Sequence, residues 1–181
     1  MEFKQTVLPA VKNMKDFEML LEMNTEYIII LESRLGMLPK VVKAAQKAGK
    51  KIWVHVDLIQ GLKADDYGME FLGRVIKPDG VITTRSHVIQ LAKKYKLISV
   101  QRLFLIDSQA VEHNARIIEK VKPDFVEVLP GIIPGMIKEM KDRLGVPVIA
   151  GGLIRTEEEA AEAIKSGASA ISTSRAELWR F

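Results

Sequence analysis

Short apolar runs and amphipathic stretches alternate along the whole chain. Runs too short and too β-branched for helices begin near residues 7, 27, 52, 80, 97, 125, 146 and 168. Between them the apolar positions fall at helical spacing. Phe17, Leu20 and Leu21 with Met14 form one such face, Val41, Val42, Ala45 and Ala48 a second, and Val88, Ile89, Leu91 and Ala92 another. Further faces follow at Ala115, Ile117, Ile118 and Val121, at Ile137, Met140 and Leu144, and at Ala160, Ala163 and Ile164. A helix over about 68–76 completes the set. The punctuation agrees. Asn13, Ser86 and Asp107 stand where helix caps are needed, Thr156 with Glu159 has capping-box spacing, and Pro39 suits a first helical turn. Gly49 and Gly167 stop their helices. Ser174 with Glu177 repeats the capping-box spacing and predicts a short last helix.

Eight strands with a helix between neighbours imply a parallel sheet. The polar residues cluster where strands end: Glu32, Ser33 and Arg34; Asp57; Thr83, Thr84 and Arg85; Asp107 and Ser108; Gly151 and Gly152; Ser172, Thr173 and Ser174. A closed barrel gathers all those ends on one face, whereas an open doubly wound sheet gives no reason for them. The expected fold is therefore α/β, a small single-domain (β/α)8 TIM-type barrel over residues 1–181. Internal similarity fits it, since I-K-P-D-G-V at 76–81 returns as V-K-P-D-F-V at 121–126, 45 positions on, about the length of two βα units. The barrel is small beside the typical length of about 250 residues. In the third strand, alternation over 52–58 predicts Trp53, His55 and Asp57 on one side. The longest loop, 59–67, follows it, and long loops tend to be functional.

Composition narrows the class. At 181 residues, 48% hydrophobic, the chain can bury one good core. With no cysteine it has neither disulfides nor thiolate chemistry, which suits a reducing cytosol. The start, M-E-F-K-Q-T, lacks a basic region followed by an apolar stretch, and no run of about 18 apolar residues occurs, so a cytoplasmic protein without a membrane partner is expected. Net charge is +4 and the sequence pI about 9.2, which permits phosphate-bearing partners without demanding them.

The chemistry concentrates at 145–174. Gly151 and Gly152 after the seventh strand, and Ser172, Thr173 and Ser174 after the eighth, lie where barrels bind phosphate with main-chain and hydroxyl donors. Arg102 or Arg155 would add positive charge. Arg102 and Glu127, both within strands, read either as an internal ion pair or as ligand contacts. Asp57, Glu127 and Glu32 are candidate acceptors for ligand hydroxyls. No His-x-x-x-His or cysteine pair suggests a metal, and no serine has a recognisable histidine base. On these grounds alone an isomerase, epimerase or aldolase-like enzyme on a small phosphate ester, with Asp57 and Glu127 as acid and base, stands beside a non-catalytic sensor.

Several strings carry a family likeness: H-V-D-L-I-Q-G-L at 55–62, T-T-R-S at 83–86, V-Q-R-L-F-L-I-D-S at 100–108, V-K-P-D-F-V-E-V-L-P-G at 121–131, I-A-G-G-L-I-R-T at 149–156 and I-S-T-S at 171–174. Together, over nearly the whole chain, they resemble the bacterial glycerol uptake operon antiterminator proteins. The resemblance implies a non-enzymatic barrel regulator that responds to glycerol 3-phosphate, needs no cofactor, and binds leader mRNA so that transcription passes a terminator. It places the phosphate against Gly151, Gly152, Ser172, Thr173, Ser174, Arg102 and Arg155, and the hydroxyls against Glu32, Asp57 and Glu127. The sequence has no aromatic RNA platform and no arginine-rich tail, so RNA contact is assigned to helix lysines, Lys93, Lys94 and Lys96 among them. A homodimer is a further expected arrangement.

Overall fold

The computed structural model describes residues 3–181. Eight strands carry the fold: β1 (Val7–Val11), β2 (Tyr27–Ile30), β3 (Lys51–His55), β4 (Gly80–Thr83), β5 (Ile98–Phe104), β6 (Phe125–Leu129), β7 (Val148–Gly151) and β8 (Ala170–Thr173). All neighbouring pairs are parallel, and β8 pairs with β1 to close the barrel. Among the described residues seven α-helices lie outside it: α1 (Met14–Glu22), α2 (Leu38–Lys47), α3 (Asp66–Phe71), α4 (Ser86–Lys94), α5 (Ser108–Val121), α6 (Pro134–Leu144) and α7 (Glu157–Lys165). None is longer than 14 residues, which is how so short a chain completes the circuit. No helix among the described residues is long and apolar enough to cross a membrane.

Strand alternation divides the core in two. One set of side chains faces the helices. The other, including Leu8, Ala10, Tyr27, Ile29, Trp53, Ile82, Val100, Phe125 and Ile149, fills the barrel. Aromatic rings plug the end where strands begin. Phe3 stacks on Phe125 at 4.8 Å between centroids and meets Tyr27 and Trp53 edge-on at 5.5 and 5.7 Å. Gly80 makes room for this plug, since a Cβ there would lie 2.7 Å from Trp53.

The K-P-D echo has a structural cause. Lys77 and Lys122 end their helices in the left-handed conformation, at φ 56° and 47°. Each following aspartate then takes a strand amide: Ile52 N–H donates to Asp79 at 2.8 Å, and Ser99 N–H donates to Asp124 at 2.8 Å. The motif joins neighbouring βα units at the barrel's lower end.

Most caps form as the sequence predicts. Asn13 accepts from the amide of Asp16, Asp107 from that of Ala110, and Thr156 and Glu159 complete a reciprocal capping box. Ser86 does not cap: it is the first helical residue, and Arg85 before it makes no side-chain capping bond. Ser174 likewise leaves the last turn uncapped, a three-residue 3₁₀ segment at Ala176–Leu178 preceded by Arg175. The strand predicted over 52–58 stops at His55, and Val56–Leu58 forms a 3₁₀ turn, so Asp57 leaves the alternation shared by Trp53 and His55. The loop beyond it is less free than its length suggests. Ile59 and Gln60 pair in parallel with Ser33 and Arg34, and Asp65 caps α3, which therefore starts before residue 68. The end of that helix widens into a π-type turn at Leu72–Ile76.

Candidate functional site

At the end where the strands finish, a cavity of about 350 Å³ opens between β1, β2, β5, β6, β7 and β8. Its floor and apolar wall come from Ala10, Ile29, Leu31, Leu129, Leu153 and Ile154, and its polar lining from Lys12, Arg102, Glu127, Arg155, Ser172, Thr173, Ser174 and Arg175. Among the described residues four cations and one carboxylate line it, so the lining is predominantly cationic. Larger hollows exist, such as one of about 570 Å³ at the strand-start end. Among the described residues Lys141 is the sole charged one lining it, and it gathers no comparable set of donors.

Glu127 organises this site. It is 1% exposed, and burying a carboxylate requires partners. Arg102 Nε donates to its Oε2 at 2.6 Å, and the Ser172 hydroxyl donates to its Oε1. Only Nε of Arg102 is used in this bond, so the guanidinium keeps donors on its other nitrogens. Gly151 sits directly behind: a Cβ there would come within 2.6 Å of Ser172 Oγ and 2.9 Å of Glu127 Oε1. Gly152 follows at φ 75° and Leu153 at φ 62°, turning the chain sharply at the cavity's edge. At the end of β8, Arg175 N–H donates to Thr173 Oγ1 at 3.2 Å, and Trp179 Nε1 donates to the Thr173 carbonyl at 3.0 Å, which fixes the turn.

Arg102, Glu127, Gly152, Arg155, Ser172, Thr173 and Ser174 thus share one cavity. Gly151 is buried beside them without lining it. Glu32 and Asp57 stand apart. Glu32 pairs with Lys12 at 3.6 Å, next to a neighbouring groove. The Asp57 carboxylate accepts from the Thr84 amide at 2.7 Å, from the hydroxyls of Thr83 and Thr84 at 3.0 Å, and lies 3.5 Å from Arg85 Nε. It thereby ties the turn after β3 to the end of β4. Lys93, Lys94 and Lys96 lie at the opposite end of the barrel, where α4 finishes. Lys93 Nζ donates to the carbonyls of Val121 and Lys122, and Lys94 sits 5.5 Å from the centre of the Tyr95 ring.

Lys12, directly after the first strand, and Arg175, two residues past the last one, escape the sequence reading. Applying the strand-end rule to the first strand, V-L-P-A-V-K, would have found Lys12. His55 also gains weight. It points into the barrel from the end of β3, is 2% exposed, and neither ring nitrogen has a hydrogen-bond partner among the described residues. Burial, helped by the charge of Arg102, lowers its pKa to about 4, so the ring is neutral near pH 7.

Fold and site together define a minimal (β/α)8 barrel with a cationic cavity at the strand-end mouth. Barrels of low sequence identity share the architecture: the aldolase QR15 at 14% identity superposes with a TM-score of 0.72 over 93% of this chain and 90% of its own. The family of glycerol-3-phosphate responsive antiterminators matches residues 7–179, and this chain belongs to it. The glycerol uptake operon antiterminator regulatory protein of Listeria monocytogenes is 46% identical, with 99% of both chains covered and a TM-score of 0.96. An antiterminator-related protein of Thermotoga maritima is 33% identical over 100% of both chains, with a TM-score of 0.87. The uncharacterized protein YgcP of Escherichia coli is 30% identical over 96% of this chain and 91% of its own.

Proposed function

We propose that this chain is a cytoplasmic glycerol 3-phosphate sensor that binds leader mRNA and lets transcription pass a terminator, controlling genes of glycerol uptake and metabolism. The observation that carries the reading is the lining of the 350 Å³ cavity, a cationic surplus beside a single, already paired carboxylate. A phosphate monoester dianion is the small ligand such a lining suits. Its phosphate takes donors from the Gly152 amide, from Thr173 and Ser174, and from Arg102 and Arg155, with Lys12 and Arg175 adding charge at the rim, while Ser172, its hydroxyl proton held by Glu127, lines the pocket wall. Gly151 serves by having no side chain. The uncharged end lies deeper, toward Glu127, Ala10 and Ile29.

RNA is met by the basic side at Lys93, Lys94 and Lys96, through salt-sensitive backbone contacts, and a homodimer would double that face. Ligand alters RNA affinity only insofar as it prefers one arrangement of the protein.

Calorimetry with glycerol 3-phosphate, followed by leader-RNA retention with and without it, tests the proposal, with ³¹P spectra recorded over the same period. The proposal expects saturable binding, ligand-dependent RNA retention and an unchanged ester. Turnover of the ester would replace the sensor with an enzyme. Replacing Lys93, Lys94 and Lys96 together should weaken RNA binding and flatten its salt dependence, and unchanged binding would remove that face.

A further inference from the structure

We propose that this chain pairs with a second copy of itself through the outer face of α3, the two helices running antiparallel about a twofold axis that passes beside Phe71. The inference rests on the homodimer in the functional reading and gives it a surface, while self-association is independent of what the cavity binds.

The first support is an apolar row that the fold leaves outside. Over α3 and the π-type turn that follows it, Met69, Leu72 and Ile76 turn inward and are at most 5% exposed, which occupies the core-facing side of the element. Tyr67, Phe71 and Val75 fall on the other side and stay 83, 40 and 60% exposed. They recur every four residues, and such an i±4 row is the ridge by which helices most commonly pack on one another. Single exposed apolar side chains are ordinary, but a contiguous row of them marks an interaction site.

The second support is the symmetry of that row. Phe71 is its midpoint, with Tyr67 four residues before and Val75 four after. A twofold axis beside Phe71 sets this ring against its own counterpart and Tyr67 against Val75 of the second copy. One row thus serves both sides, as an isologous contact requires.

The third support is charge. The first half of the element carries Asp66 and Glu70, and its end carries Arg74 and Lys77. Lys63, just ahead of the helix, is already held by Asp65 at 3.1 Å. Antiparallel pairing lays the acidic half of each copy along the basic half of the other, whereas parallel pairing would bring like charges together. Glu70 and Arg74 meet within one chain at 3.2 Å, and because both are solvent-accessible they can exchange that contact for one across the axis. A nucleic acid suits the face less well, since Asp66 and Glu70 would lie against its phosphates. The Tyr95 ring lies 6.0 Å from Arg74 and 5.5 Å from Lys94, so the basic end of the row adjoins the lysines assigned to RNA, and each copy brings its own RNA face to the pair.

Sedimentation equilibrium of the full chain between about 1 and 100 μM, without ligand or RNA, provides the test. The wild-type protein should form a dimer. Phe71→Asp sets two carboxylates face to face on the axis and should weaken dimerisation by about 100-fold or more. Glu70→Arg and Arg74→Glu should each be monomeric alone, yet an equimolar mixture of the two should dimerise, because one copy then presents only positive and the other only negative charge at these two positions. A monomeric wild type, a dimer indifferent to the three substitutions, or a mixture that stays monomeric would each overturn the proposal. A monomeric wild type whose leader-RNA retention is lost in Phe71→Asp would hand the face to nucleic acid and overturn it equally. Should the charge variants fail to fold, Phe71→Cys decides, since the chain has no cysteine of its own. Oxidised glutathione should link it into a disulfide-bonded dimer and leave Ile106→Cys, exposed elsewhere on the surface, unlinked, and equal linking of the two would refute the axis. With neither glycerol 3-phosphate nor RNA present, failure here leaves the reading of the cavity standing, and a dimer that binds no ester leaves this face standing.

Discussion

The Arg102–Glu127 pair offers a test in which stability and binding move apart. Replacing Glu127 with leucine strands a guanidinium whose side chain is 12% exposed and takes the acceptor from the Ser172 hydroxyl. Breaking a buried ion pair from one side costs about 3–5 kcal/mol. Arg102 keeps some contact with solvent, which argues for the lower end, and the stranded hydroxyl adds about 1 kcal/mol. A net loss of about 4 kcal/mol follows. In a chain of this length it lowers the melting temperature by roughly 8–16 °C. The double variant Arg102→Met with Glu127→Leu removes both charges together, so about 3 kcal/mol should return, because apolar groups often replace a buried pair at little cost. Thermal melts with and without ligand read both effects. Glycerol 3-phosphate at about 100 times its dissociation constant stabilises the wild-type protein by about 2.7 kcal/mol, and the double variant, which lacks the Arg102 donors, should gain far less. If Glu127→Leu melts within about 2 °C of the wild type, or the double variant is no more stable than the single one, the pair is not a buried support of the barrel mouth.

Other outcomes follow from single atoms. Gly151→Ala would drive a methyl group into the Ser172–Glu127 hydrogen bond, costing about 1–3 kcal/mol and at least tenfold in ligand affinity. Gly80→Ala, which collides with Trp53 at the other end of the barrel, should cost a similar amount in melts while leaving calorimetric affinity intact. The His55 pKa, lowered from 6.5 to about 4, means that the unfolded chain takes up this proton first as pH falls. Its contribution is therefore fully present above about pH 6.5 and is lost progressively toward pH 4, on the order of 3 kcal/mol. Urea titrations from pH 7 to 4 should show a shallower decline in His55→Leu, and parallel curves would contradict the burial of a neutral ring.

The barrel was legible because each βα unit carries its own local signals. The Thr156–Glu159 box, the Asn13 cap and the short β-branched strands each act within a few residues of chain. The Lys-Pro-Asp echo was legible as a repeat, whereas its cause, aspartates holding amides more than 20 positions away, depends on strands coming together. The failures have the same origin. Ser86 and Ser174 have capping chemistry, but the chain enters the first helix one residue early, at Ser86 itself, and the last turn one residue late, after Arg175. Asp57 looked inward because alternation assumes a continuing strand, and the 3₁₀ turn after His55 rotated it toward β4. Lys12 was overlooked because the first strand ends without a polar cluster, and the closure of β1 on β8 is what brings it to the cavity. Alternation placed His55 beside Trp53 on the inward side, but sequence cannot show that both its nitrogens lack partners in other described residues.

A crystal structure of the protein grown with glycerol 3-phosphate should place the phosphate oxygens within hydrogen-bonding reach of Gly152, Thr173, Ser174 and the Arg102 guanidinium, beside Ser172. Density for the ester anywhere else, such as the hollow beside Gly145 and Ser169 at the strand-start end, would contradict this placement.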